Sequence, residues 1–103
     1  MDDERLIRAR EIIAEADREM ARCFVRRMEA VRAVALYKQE KGLPVLDAAQ
    51  EEVVTARGLA CVEPEELREP YRQFIRGVKE ISRGYQRRLM EGGPDERSGE
   101  AGQ

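Results

Sequence analysis

From Glu4 to Lys41 the chain carries neither proline nor glycine, and its apolar residues fall at helical spacing. Leu6, Ile13, Met20 and Val34 occupy one seven-residue column, with Ala9, Ala16, Cys23, Ala30 and Tyr37 on the adjoining row. The pattern predicts one helix from about Glu4 to Lys41. Gly42 suits a left-handed cap, and Pro44 keeps the helix from resuming at once. Asp47 suits the N-cap of a second helix that fades near Gly58. A third helix begins between Pro64 and Pro70 and runs to about Met90, with Leu67, Tyr71, Phe74, Val78, Ile81, Tyr85 and Leu89 as its apolar stripe. No strand pattern and no internal repeat interrupts this series. The expected organisation is one all-α domain over residues 1–91, followed by the tail GGPDERSGEAGQ at 92–103. The tail has almost nothing apolar to bury and is expected to be disordered.

The first helix is too long for the domain it belongs to. Thirty-eight residues at 1.5 Å each span roughly 57 Å, whereas a compact domain of this size has a radius of gyration of only about 13 Å. Two shorter helices cannot cover so long an apolar stripe, and a second copy of the chain would. Length and periodicity therefore predict an intertwined homodimer of three-helix protomers.

Composition narrows the chemistry. Charged residues make up 39% of the chain but nearly cancel, at a net charge of −2, which argues against nucleic acid as a partner. No apolar run approaches the roughly 18 residues of a membrane span, and the polar start MDDER is not read as a signal peptide. Cys23 and Cys61 lack metal or redox spacing, so the expectation is a cytoplasmic protein with reduced thiols. Histidine is absent, which excludes Ser-His-Asp and Cys-His catalysis and ordinary zinc sites. No metal and no cofactor is expected. An enzyme built from this set works by positioning and electrostatics rather than through a covalent intermediate.

Polar residues stand where the pattern calls for apolar ones. Arg27 interrupts the column Leu6, Ile13, Met20, Val34. Lys38 lies eleven residues on, about 20° around the helix, so the two cations share a face, whereas Arg10 points roughly 100° away from Arg27. Arg10 is thus suited to serve another copy of the same site across a dimer. In the third helix Ser82 sits in the column of Ile75 and Leu89, and Gln86 follows one turn later. Asp47 and Glu51 form another such pair at the start of the second helix. Each has an ordinary explanation: an interfacial arginine pairs with a carboxylate, a lysine snorkels, acids stabilise a helix N-terminus. Together they describe an apolar pocket lined by cations, a hydroxyl, a carboxamide and a carboxylate. Such a pocket suits a small, multiply anionic ligand that carries a hydroxyl.

The runs AREIIAEADREM, RRM, VALYKQEKGLPVLDAAQEE and ISRGYQRRL, spread over roughly residues 5 to 90, resemble the all-helical (type II) chorismate mutases. The combination of RRM, YKxExGLPVxD and SRxYQ is far more specific than any one piece. The resemblance implies an intertwined homodimer with two shared active sites. It also implies the Claisen rearrangement of chorismate, a dicarboxylate, to prephenate, on the branch towards phenylalanine and tyrosine, with no nucleophile, metal or cofactor.

Carried over motif by motif, the resemblance assigns one substrate carboxylate to Arg27 and the other to Arg10 of the partner subunit. Lys38 is implied to contact a carboxylate and the ether oxygen, and Gln86 to donate to that oxygen from its other side. Glu51 is implied to accept from the ring hydroxyl with the backbone around Asp47 assisting, and Ser82 to sit against the ring carboxylate. Position 50, usually arginine in the family, is Gln50 here, which can donate a hydrogen bond but supplies no charge. Two other readings accompany this one: an isochorismate-pyruvate lyase of the same fold, and a non-catalytic helical dimer that binds an anionic metabolite or a protein.

Overall fold

The structure is a computed structural model that describes residues 3–101, with side chains described for residues 3–91. The third helix, expected to end near Met90, continues to Ala101, through most of the tail expected to be disordered; residues 102–103 and the side chains of 92–101 lie outside the described residues. Three helices follow one another: α1 (Glu4–Lys41), α2 (Ala48–Leu59) and α3 (Arg68–Ala101), the last preceded by a 3-10 turn at Glu65–Leu67. The described residues form no strand. The chain divides into two compact units, Met1–Ala30 and Val31–Gln103, with the boundary inside α1.

The first unit is helix alone. Asp3 caps its start: the carboxylate accepts the backbone N–H of Arg5 at 2.7 Å and the Arg5 guanidinium at 2.8 Å. The Arg5 side chain, and then its backbone N–H, hold the Asp3 carboxyl below its ordinary range. Leu6, Ile13 and Met20, the column expected to be buried, are all about half exposed here, as are Ile7, Ile12 and Phe24.

The second unit carries the connections that place the candidate residues. At the end of α1, Gly42 adopts a left-handed φ of 69°. The Leu43 N–H reaches the Lys38 carbonyl at 2.8 Å and the Gly42 N–H reaches Gln39 at 3.4 Å, the paired bonds of a Schellman cap. Pro44 follows where a helix cannot continue. Asp47 then caps α2 as its sequence position implied, its carboxylate accepting the Gln50 backbone N–H at 3.1 Å. Past the end of α2 the Arg68 guanidinium donates to the carbonyls of Leu59 and Val62 at 2.9 and 3.2 Å, tying the connection to the start of α3. Pro70 lies in the first turn of α3, where its missing N–H costs no helical bond.

Gly58 of α2 lies against the Tyr71 side chain of α3. A Cβ built there would stand 2.7 Å from Cζ and 2.8 Å from Cε2 of Tyr71, well inside van der Waals contact. Gly58→Ala gains about 1 kcal/mol of helix propensity but loses about 1–3 kcal/mol to overpacking. Thermal denaturation should therefore show a lower Tm for Gly58→Ala. The same substitution in a Tyr71→Ala background should be neutral or stabilising relative to Tyr71→Ala alone; a lowered Tm in both backgrounds would remove the Tyr71 contact as the cause.

The stripe on α3 differs from the expected one. Leu67, Phe74 and Ile81 are half exposed, while the buried positions are Ile75, Ser82, Gln86 and Leu89. Leu89 belongs to the expected stripe, but the other three lie on a neighbouring flank of the helix, and two of the four are polar. The physical reason is that α3 meets α2 on the flank of the apolar stripe, leaving the Leu67–Phe74–Ile81 column uncovered in the single chain. No helix among the described residues is long and apolar enough to cross a membrane. Cys23 and Cys61 are free and exposed.

Candidate active site

Lys38 and Gln86 are the meeting point of the second unit. The Lys38 ammonium donates to the Val45 carbonyl at 2.6 Å and to Gln86 Oε1 at 3.3 Å. The first bond ties the side chain to the apolar loop between α1 and α2, so the GLPVLD segment is part of what aims it. The second orients the carboxamide. With Oε1 taken by Lys38, Nε2 is the end of Gln86 left to donate to a ligand. An ammonium has three donors, and the two bonds leave Lys38 one more N–H. Gln86 is 8% exposed and Ser82 6%. A buried carboxamide beside a lysine costs more than an apolar pair unless it is used, which makes the Lys38–Gln86 pair the strongest local sign of a site. One turn below, the Ser82 hydroxyl donates to the Val78 carbonyl at 2.9 Å. A further bond from the same helix end joins Gln39 Nε2 to the Met90 carbonyl at 3.1 Å, holding α1 and α3 in register around Lys38.

Glu51 enters from α2. Both its oxygens accept from Arg83 Nη1, at 2.5 and 2.7 Å, and the two side chains are about one-quarter exposed. One turn along the same contact, Lys79 donates to the Thr55 hydroxyl at 2.8 Å. A cleft of about 480 Å³ between α2 and α3 is lined by Leu46, Glu51, Thr55, Leu59 and Lys79 among others, a volume in the range of small-molecule sites. Lys38 and Gln86 do not line it.

The remaining expected residues are placed as follows. Asp47 is exposed, with one carboxylate oxygen used as the cap of α2. Gln50 is exposed, its backbone N–H turned to Asp47. Arg10 and Arg27 belong to the first unit, where Arg10 is exposed and Arg27 half-buried. Lys38, Glu51, Ser82 and Gln86 therefore share the second unit, with Lys38 bonded to Gln86. Sequence reasoning missed Arg83 as the partner of Glu51, although Arg83 stands inside the SRGYQ run beside Ser82. The signal was a second i, i+4 polar pair, Lys79 and Arg83, on the α2-facing flank of α3.

The family model described as chorismate mutase type II matches residues 9–87, from within the first helix to just past Gln86. The chain belongs to this family. The match takes in every candidate residue named above, including Arg10 near its start and Gln86 near its end. No curated protein and no solved structure matches the chain. The family is helical, as the described residues are.

Proposed function

We propose that the protein is a chorismate mutase, converting chorismate to prephenate within a homodimer. The observation that carries this reading, beyond family membership, is the pairing of half-buried Lys38 with buried Gln86. In the rearrangement the breaking ether bond polarises and negative charge gathers on its oxygen. Catalysis then needs fixed donors aimed at that oxygen and a frame that folds the enolpyruvyl arm over the ring. The remaining Lys38 N–H and the Gln86 Nε2 supply two such donors from α1 and α3. Neither has to change its protonation state during the reaction.

In this reading Arg27 and Arg10 of the partner subunit hold the two carboxylates, Ser82 sits against the ring carboxylate, and Glu51, beside Asp47, accepts from the ring hydroxyl. The exposed columns Leu6–Ile13–Met20 on α1 and Leu67–Phe74–Ile81 on α3 support the dimer, because contiguous apolar surface of that extent is buried in a stable protein. The purified protein should consume chorismate and release prephenate without added metal or cofactor. Salicylate and pyruvate from isochorismate, with chorismate untouched, would make it the lyase instead. Binding of either compound without turnover would make it a non-catalytic dimer.

The neutral carboxamide at position 86 gives a pH test. A glutamate there ordinarily titrates near about 4.3, and the Lys38 ammonium at its side favours the ionised form further. At neutral pH a Gln86→Glu carboxylate donates nothing and repels the developing oxyanion; acidification protonates it and restores a donor. The Gln86→Glu variant should therefore be slow at about pH 7 and recover only as the pH falls below about 4.3, whereas wild-type kcat stays flat between about pH 5 and 8. A wild-type kcat that falls steeply across that window, in a protein that circular dichroism shows to be folded, would remove Gln86 from the role.

A further inference from the structure

Arg83 and Glu51 form an ion pair of an uneven kind. Arginine and a carboxylate normally meet fork to fork, through two nitrogens and two oxygens. Here a single nitrogen, Nη1, serves both Glu51 oxygens, at 2.5 and 2.7 Å. The Nε and Nη2 donors of Arg83 have no partner among the described residues, and the side chain is 22% exposed, so the guanidinium is neither spent nor loose. Its position is also particular. Arg83 follows the buried Ser82 and precedes the buried Gln86 by three residues, about 60° around the helix from it. The same region of α2 offers no cation: Gln50, next to Glu51, is neutral and exposed.

We propose that Arg83 is a substrate-binding cation of the site, gripping Glu51 with Nη1 and presenting Nε and Nη2 to a substrate carboxylate. It delivers from α3 the charge that Gln50 does not deliver from α2. This rests on the mutase reading above and adds to it a binding residue and a reason for the glutamine. Held by Nη1, the Glu51 carboxylate keeps further lone pairs for the ring hydroxyl, since an ionised carboxylate offers about four acceptor sites. The pair thus binds the anionic group and the hydroxyl of one substrate with two adjoining side chains.

The test is steady-state kinetics with chorismate on a small set of variants, each checked for Tm. Arg83→Gln should raise KM about tenfold while kcat stays within about threefold, the pattern of lost ground-state and transition-state binding alike. Arg83→Lys keeps a charge beside Glu51 and is the variant safest for folding, but it loses the fork; its KM should rise at least about threefold. Gln50→Arg, added to Arg83→Gln, should return the KM most of the way to wild type, because the two positions supply one charge. Lys79→Gln, one turn away and bonded to a neutral hydroxyl, should leave KM within about twofold. An unchanged KM in Arg83→Lys or Arg83→Gln, a fall in kcat alone, failure of Gln50→Arg to rescue, or an equal effect from Lys79→Gln would each overturn the proposal while leaving the mutase reading intact. A wild-type protein that does not turn over chorismate would instead overturn the mutase reading, and the role of Arg83 with it.

Discussion

Lys38→Ala should lower kcat/KM for chorismate by about a thousandfold, the scale of losing one donor aimed at a developing oxyanion. The loss should fall mainly on kcat, because the ether oxygen carries its charge only in the transition state. Two structural consequences accompany it. The Val45 carbonyl loses the donor that ties the α1–α2 loop to α1, and Gln86 Oε1 loses the ammonium that orients it. Gln86 is buried, so its unsatisfied oxygen costs about 1–3 kcal/mol, and the variant should melt lower than wild type. Lys38→Arg separates the two effects. A guanidinium can satisfy Val45 and Gln86 and restore much of the Tm, but its larger planar head displaces the donor from the ether oxygen, so activity should remain low. A Lys38→Ala protein with kcat/KM within about tenfold of wild type would remove Lys38 from the chemistry and leave it a loop anchor.

The elements that depend on local rules were legible in the chain. The first helix follows from its own apolar period, its Gly42 cap and the Asp47 cap of α2 each from one residue, and the structure has all three. Ser82 and Gln86 were legible for a related reason, since a polar residue in an apolar column stands out against a regular period. What depends on the angle at which two helices meet was not legible. Of the stripe read as Leu67, Tyr71, Phe74, Val78, Ile81, Tyr85 and Leu89, Leu89 is buried and Leu67, Phe74 and Ile81 are exposed, while Ile75, Ser82 and Gln86 on a neighbouring flank are buried with it. The Glu51–Arg83 pair was missed on the same ground. Thirty-two residues separate its members, and only the α2–α3 contact joins them. Gly58 likewise reads as a helix-weakening residue in the sequence and becomes a packing requirement once Tyr71 is set against it.

A mixture of two inactive variants should recover activity, and the amount reports how each site is divided between chains. Arg10 lies on α1 roughly 100° of helix rotation from Arg27, which is why it is proposed to serve the partner subunit's site. Arg10→Ala and Lys38→Ala homodimers should each be nearly inactive, since every site lacks one cation. Unfolded together at equal concentration and refolded, the chains should pair at random, so about half of the dimers are mixed. In a mixed dimer one site draws Lys38 from the Arg10→Ala chain and Arg10 from the Lys38→Ala chain, and is intact; the other site lacks both. Half the dimers with one good site of two gives about a quarter of the wild-type activity, by the symmetry of an isologous dimer. Refolding each variant alone sets the baseline, and size-exclusion chromatography shows whether the mixture has dimerised. If Arg10 and Lys38 served the same protomer's site, every site in a mixed dimer would still lack one of them, and the folded mixture would be no more active than its parts.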